Sequence, residues 1–194
     1  MRCKNFLKII LCINSLFFAG MLSAATFNIG DSCSGKVIRV FDADTWLFRC
    51  ENGKTALVRL EGIDAPESKK TKKACWQQPF GDQATEITRQ NFLYRYLTLE
   101  ITDQDKYHRW VGLFYDKNQQ SINGQLVAQG LATVYRKYNH AKAWETFEQQ
   151  AQKNRKGLWH NPPACIITPA IWRHTEEAQR CEKLLDFQKI GCVF

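Results

Sequence analysis

Residues 41–67 of this chain contain five charged residues of particular interest, four carboxylates and one guanidinium, beside apolar segments with the composition of β-strands. They are Asp42, Asp44, Arg59, Asp64 and Glu67. Charged side chains beside so much apolar sequence are costly unless they pair or bind a ligand, so we expect them to converge. Aspartate oxygens are the hard ligands that Ca²⁺ and Mg²⁺ prefer, which makes Asp44 and Asp64 candidate metal ligands, with the backbone carbonyl of Ala65 as a third. Ordinary turn chemistry is the competing interpretation for Asp42 and Asp44.

Arginine and glutamate add a second kind of chemistry to this stretch. A guanidinium inside a β-strand needs an anion, and for Arg59 that anion is either a neighbouring carboxylate or a bound phosphate. A second arginine, Arg109, follows a polar turn, and Glu67 could orient or deprotonate a water molecule. Two arginines, one divalent cation and a carboxylate are the groups needed to split a phosphodiester bond. Glu67 also has a simpler interpretation, an ion pair with a lysine of the adjoining loop.

A three-stranded meander is predicted to position these groups. Its strands are runs rich in β-branched and aromatic residues: Lys36 to Phe41, Thr45 to Cys50 and Thr55 to Leu60. Asn52-Gly53 separates the last two and is a strong signal for a two-residue hairpin loop. Such a loop would place Trp46 opposite Arg59. Asp44 and Arg59 would then share one face of the sheet, about 7–8 Å apart at the backbone.

The following segments alternate between helical and strand patterns. They are a helix capped by Asp82 with Phe80, Ala84, Ile87, Tyr94 and Leu97 at helical spacing, strands Leu97 to Thr102 and Trp110 to Tyr115, a helix Ile122 to Gln129, and a helix bearing Trp144, Phe147 and Ala151. Three strands, a helix, two strands and further helices predict an α+β fold with a mainly β core. The arrangement fits a five-stranded Greek-key barrel of the oligonucleotide-binding (OB) type with about three helices.

The first residues have the features of an export signal. Residues 1–8 carry three basic residues and no acid, Ile9 to Leu22 is mostly apolar, and Ser23-Ala24-Ala25 offers small residues for cleavage. An uncleaved membrane anchor would need roughly 20 apolar residues. We therefore expect a signal peptide over 1–25 and an exported chain, periplasmic or secreted, without stable membrane association. Loss of the three basic residues lowers the formal net charge from +8 to +5, which permits a polyanionic partner without requiring one.

Six cysteines remain after residue 25, and an even number in an exported chain predicts three disulfides. They are Cys33, Cys50, Cys75, Cys165, Cys181 and Cys192. Because Cys33 and Cys50 flank one predicted hairpin, they are the first expected pair. We expect one nuclease-like OB domain over 26–160, with the cysteine-containing extension 161–194 packed on it.

Four motifs, in order and in register, resemble those of the staphylococcal nuclease (thermonuclease) family over roughly residues 35–159. They are Phe41-Asp42-Ala43-Asp44-Thr45, Val58-Arg59-Leu60 with Gly62-Ile63-Asp64-Ala65-Pro66-Glu67, Asp105-Lys106-Tyr107-His108-Arg109, and Asn123 with Gln129-Gly130-Leu131-Ala132. The resemblance implies an OB-fold, calcium-dependent endonuclease that cleaves DNA and RNA with low sequence specificity and leaves 3′-phosphates. A monomer is expected.

The resemblance also implies roles for individual residues. Asp44, Asp64 and the carbonyl of Ala65 are implied as calcium ligands. Glu67 is implied as the group that positions or deprotonates the attacking water, and Arg59 and Arg109 as phosphate contacts. Lys106, Tyr107 and Tyr138 match substrate-binding positions.

Three residues differ from the family pattern. Ala43 and His108 stand where glycine is usual, and Arg136 stands where an aromatic residue would stack on a base, a task that Tyr135 could take over. His108 is either a turn residue or a base, and Trp46 is either a stacking platform or core.

Two different functions remain open. A non-catalytic OB-fold that binds nucleic acid or a protein is the alternative to a nuclease.

Overall fold

The computed structural model describes residues 26–69, 75–138 and 142–192. The predicted signal peptide and most of the segment 68–73, which contains four lysines, lie outside these residues. The strands are β1 (Ser32–Asp42), β2 (Thr45–Cys50), β3 (Thr55–Leu60), β4 (Ile63–Asp64), β5 (Tyr96–Gln104), β6 (Trp110–Tyr115) and β7 (Thr133–Val134). The α-helices are α1 (Gly81–Phe92), α2 (Ile122–Ala128), α3 (Lys142–Lys153), α4 (Pro169–His174) and α5 (Glu177–Lys189). Within the described residues, none of these helices is long and apolar enough to span a bilayer.

Five strands form a closed barrel in the order β1-β2-β3-β6-β5. Neighbouring strands are antiparallel except β3 and β6, which are parallel. β1 pairs with both β2 and β5, and irregularities in its register after Val37 and Val40 let one long strand turn around the barrel. β4 pairs with β7 outside the barrel. The predicted five-stranded OB-type barrel is confirmed, and the count of about three helices falls short because α4 and α5 were not predicted.

The hairpin between β2 and β3 has a different register from the prediction. Thr45 pairs with Arg59, and Trp46 pairs with Val58 rather than with Arg59. The amide of Cys50 donates to the carbonyl of Lys54 at 2.8 Å, so the loop consists of residues 51–53 with Gly53 at a φ of +84°. Glycine tolerates this left-handed conformation at little steric cost, which allows a three-residue loop where two residues were expected.

The barrel interior is filled by aromatic and branched side chains. Trp46 is fully buried and stacks on Phe92 with ring centroids 5.3 Å apart, while Phe114 contacts both Trp46 and Phe48 at 5.1 Å. Trp46 and Phe48 are therefore core residues and not platforms for bases.

Removal of the Trp46 side chain should destabilise the fold. We expect Trp46→Ala to lower the free energy of unfolding by about 3–5 kcal/mol, because it removes a buried indole and leaves a cavity among aromatic neighbours. Denaturant unfolding measures the change. Tyr94→Ala, at a side chain that is 68% exposed, is the control and should change stability by about 0.5 kcal/mol or less.

Helix α1 begins and packs differently from the prediction. Its N-cap is Phe80, whose side chain makes no capping bond, and Asp82 lies within the first turn. The carboxylate of Asp82 accepts instead from the amide of Lys69 at 2.7 Å and from the side chain of Gln77 at 3.1 Å. Ile87 is exposed, because the helix buries the face that carries Ala84 and Thr88. The helix ends at Phe92, so Tyr94 lies beyond it and is exposed, and Leu97 belongs to β5.

One disulfide, Cys75–Cys181, links the C-terminal segment to the barrel domain. The bridges are Cys33–Cys50, as predicted, together with Cys75–Cys181 and Cys165–Cys192. Trp172 of α4 is fully buried, and its indole nitrogen donates to the carbonyl of Trp76 at 2.6 Å. The side-chain amide of Gln78 donates to the carbonyl of Ile167 at 2.9 Å.

Candidate active site

Arg59 brings the two predicted metal ligands together. It lies near the end of β3, and its Nη1 contacts Asp44 Oδ2 at 2.6 Å while its Nη2 contacts Asp64 Oδ1 at 2.8 Å. Nη2 also donates to the carbonyl of Ile63 at 2.9 Å. Asp44 follows β1 in a turn, and Asp64 ends β4, so three separate segments meet at this guanidinium. The predicted neighbourhood of Asp44 and Arg59 holds although the predicted register does not, because Asp44 lies in the turn and not on the strand face.

The turn that carries Asp44 is fixed by local hydrogen bonds. Asp44 Oδ2 accepts from the amide of Ala65 at 2.7 Å, and its Oδ1 accepts from the hydroxyl of Thr45 at 3.0 Å. The amide of Asp44 donates to Asp42 Oδ1 at 3.1 Å, the turn role considered for Asp42. Ala43 is buried and is absent from the described non-glycine residues with positive φ, so this turn does not require glycine.

Glu67 is held at both its backbone and its carboxylate. The side-chain oxygen of Gln78 accepts from the backbone amide of Glu67 at 3.0 Å, and the backbone amide of Gln78 donates to the carbonyl of Glu67 at 2.8 Å. Gly81 permits this close approach, because a Cβ there would lie 2.0 Å from the carbonyl oxygen of Glu67. Oε2 of Glu67 accepts from the indole of Trp76 at 3.0 Å. No lysine pair of Glu67 is found among the described residues.

A third arginine, Arg173 of α4, enters the site. Its Nη1 and Nη2 bind both carboxylate oxygens of Asp64, at 2.9 and 2.8 Å, and Nη1 also donates to Glu67 Oε1 at 3.0 Å. Arg173 was not predicted from the sequence as part of the site. The only available signal was a Trp-Arg pair in a cysteine-rich tail, which does not indicate where an arginine will lie.

Burial controls the electrostatics of these carboxylates. It raises the pKa of Asp64 and of Glu67 above their ordinary values, and the bonds from Arg173 oppose that rise without cancelling it. For Arg173, burial alone would lower the pKa, but the hydrogen bonds and charges of Asp64 and Glu67 outweigh it and raise the pKa. The guanidinium is therefore a fixed cation between the two acids.

Arg109 is positioned by the turn that connects β5 and β6. The carboxylate of Asp105 accepts from the backbone amide of Arg109 at 3.0 Å, from Arg109 Nε at 2.8 Å and from Arg109 Nη2 at 2.7 Å. Partial burial would raise the pKa of Asp105, but these bonds lower it. Nη1 of Arg109 lies 3.4 Å from the hydroxyl of Thr45, which itself donates to Asp44. His108 adopts a φ of +61°, the conformation glycine would take, so it acts as a turn residue and leaves Arg109 directed at the site.

Two of the predicted substrate-binding residues, Lys106 and Tyr107, lie at the rim of the site beside Arg109. Tyr107 is 67% exposed, with Lys106 Nζ 5.1 Å and the Arg109 guanidinium 5.7 Å from its ring centroid. Tyr138 ends a short 3₁₀ helix, Arg136–Tyr138, and its side chain lies outside the described residues. Arg136 pairs with Glu148 at 2.6 Å, and both line, together with Tyr135, a cavity of about 330 Å³ that reaches Asp64.

The donor set at Asp44 and Asp64 fits a hard cation. Within the described ranges, no cluster of three or more His, Cys, Asp or Glu side chains forms a metal-binding group. Two carboxylates and the carbonyl of Ala65 nevertheless suffice when water completes the coordination. Asp44 and Asp64 both pair with Arg59, so the two carboxylates meet at one positively charged group.

Comparison with known proteins gives the family. Residues 57–161 match the sequence profile described as "Staphylococcal nuclease homologue". This chain belongs to the staphylococcal nuclease family. A thermonuclease from Staphylococcus hyicus is 31% identical over 163 residues, which cover 79% of this chain and 91% of that protein.

Two further relatives are named as nucleases. A micrococcal nuclease from Shigella flexneri is 31% identical over 154 residues, 74% of this chain and 82% of the relative. An "Uncharacterized endonuclease" from Escherichia coli O157:H7 is 31% identical over 140 residues, 72% and 84% of the two chains. The family makes this chain a phosphodiester hydrolase, an endonuclease that acts on nucleic acid.

Proposed function

We propose that the chain is an exported calcium-dependent endonuclease that cleaves DNA and RNA with low sequence specificity and leaves 3′-phosphates. The convergence of Asp44 and Asp64 on Arg59 carries the proposal. A module that only binds nucleic acid would need basic and aromatic residues, but it has no use for the buried carboxylates of Asp44 and Asp64 beside that of Glu67. Export is supported by the leader pattern at residues 1–25 and by three disulfides, which favour an oxidising compartment, periplasmic or extracellular.

The reaction needs a proton acceptor, charge neutralisation and a fixed phosphate. Calcium held by Asp44, Asp64 and the carbonyl of Ala65 would supply positive charge to the phosphate oxygens. Glu67 accepts a proton from water at its carboxylate, and Trp76 holds that carboxylate in one orientation. Arg109, fixed by Asp105 beside Thr45, donates to a phosphate oxygen as negative charge develops.

Arg59 has two tasks in this scheme. Its ion pairs bring Asp44 and Asp64 together at one place, and its guanidinium would supply positive charge to a phosphate bound there. Lys106 and Tyr107 at the rim would contact the substrate backbone and an adjoining nucleotide, together with Tyr138. Contacts that follow the backbone and stack on bases carry little sequence information, which supports low specificity.

Digestion assays test the proposal. We expect the purified chain without residues 1–25 to degrade single-stranded DNA, duplex DNA and RNA in the presence of calcium. Cleavage that leaves a 3′-phosphate on one product leaves a 5′-hydroxyl on the other, so polynucleotide kinase should label the 5′ ends without prior phosphatase treatment. Mass spectrometry should show 3′-phosphates. Binding without cleavage at saturating calcium would contradict the proposal and favour the non-catalytic alternative.

A further inference from the structure

Arg173 contacts the site from a part of the chain far away in sequence. It is separated from Asp64 by 109 residues and from Glu67 by 106, yet it makes two bonds to the first and one to the second, all between 2.8 and 3.0 Å. A bidentate guanidinium engages both carboxylate oxygens of Asp64. Arg173 is therefore the principal counter-ion of Asp64 on the side that faces the C-terminal extension.

The extension holds Arg173 in place through several independent contacts. Trp172 is fully buried beside it and donates to the carbonyl of Trp76 at 2.6 Å. The disulfide Cys75–Cys181 joins the residue before Trp76 to α5, and the Arg180 guanidinium lies 4.9 Å from the Trp76 ring centroid. Trp76 in turn donates to Glu67. The same residue thus anchors the helix that carries Arg173 and orients the carboxylate that Arg173 contacts.

A guanidinium and a divalent cation need the same oxygens of Asp64. Both oxygens accept from Arg173 in this structure, so a cation bound through Asp64 must replace at least one of these bonds. Two positive charges a few ångströms apart in a buried site also repel each other. We propose that Arg173 is an internal counter-ion that competes with calcium for Asp64 and so sets the calcium affinity of the site, an inference that rests on the proposed function.

Competition would also couple calcium binding to Glu67. Nη1 of Arg173 donates to both Asp64 and Glu67, so release from Asp64 weakens the hold on Glu67 as well. Calcium binding then frees the carboxylate that accepts the proton. Arg173 is in this sense a positioning residue, since it acts through Asp64 and Glu67.

Calcium titration by calorimetry tests the competition. We expect Arg173→Gln to lower the calcium Kd by about tenfold or more. In the unaltered chain, molecules in which Arg173 occupies Asp64 cannot bind calcium through it, and the substitution removes that form. Arg173→Lys, which keeps the charge but loses the fork, should give an intermediate Kd. The control Arg89→Gln removes the same charge from an exposed ion pair on α1 and should change the Kd by less than about twofold, since surface charges are screened.

The unaltered chain gives a second reading that does not depend on a variant folding. Nitrogen-15 spectra of the arginine side chains should show the Arg173 NηH₂ protons in slow exchange without calcium and lose that protection as calcium is added. An unchanged Kd in Arg173→Gln, or an Arg173 signal that stays protected at saturating calcium, would overturn the inference. If the unaltered chain binds no calcium at all, the proposed function fails instead, so the two failures are distinguishable.

Discussion

Glu67→Gln should lower the cleavage rate at saturating calcium and substrate by about two to four orders of magnitude, the range expected when a general base is removed. The amide is close in size and shape to the carboxylate but cannot take a proton from water. It also offers one acceptor oxygen where the carboxylate uses two, one for Trp76 and one for Arg173. Substrate affinity should change far less than the rate, because the lost interaction belongs to the chemical step.

Single-turnover cleavage of a labelled oligonucleotide, with the dissociation constant measured in parallel, gives both quantities. Glu86→Gln is the matched control, an exposed glutamate that pairs with Arg89 on α1. It should cleave at the unaltered rate. A Glu67→Gln rate within about threefold of the unaltered chain would remove Glu67 from the reaction, since it is far below the effect of losing a base.

Arg109→Ala is expected to reduce the turnover number by about a hundredfold to a thousandfold, the usual effect of removing one donor to developing charge. The arginine is directed into the site by Asp105 and lies 3.4 Å from Thr45, next to Asp44, the proposed calcium ligand. Arg109→Lys should recover only part of the loss, because a single ammonium cannot reproduce the planar fork.

Steady-state kinetics should show the loss mainly in the turnover number and less in KM, as for an interaction that strengthens in the transition state. Arg89→Ala is the matched control, because Arg89 also pairs with an acid of its own local segment but lies on the exposed face of α1. Full activity in Arg109→Ala, with the fold intact by circular dichroism, would show that Arg109 does not contact the phosphate.

The local patterns of the sequence were sufficient to predict the barrel. Alternating β-branched and aromatic residues predicted β2, β3 and β6 at their observed bounds or close to them. The β2–β3 register was wrong because a dipeptide signal does not determine loop length. The approach of Asp44 to Arg59 survived that error, since it depends on where β1 turns and not on strand parity.

Long-range contacts account for what the sequence did not reveal. An even cysteine count predicted three bridges, but only Cys33–Cys50, which joins strands β1 and β2, could be paired by proximity. The position of Arg173 depends on the fold of α4, on the burial of Trp172 and on the bridge Cys75–Cys181, none of which has a local signature. A residue that reaches a site across such a distance is found only when the tertiary structure is known.

The dependence of cleavage on a reversibly bound divalent cation tests the central claim most directly. DNA cleavage by the purified chain should be followed continuously while calcium is chelated and then restored, with substrate binding measured on the same samples. We expect cleavage to stop on chelation and to resume at its former rate when calcium is added back, because the proposed ligands Asp44 and Asp64 would hold the cation reversibly. Cleavage that continues at full rate in excess chelator would contradict the account.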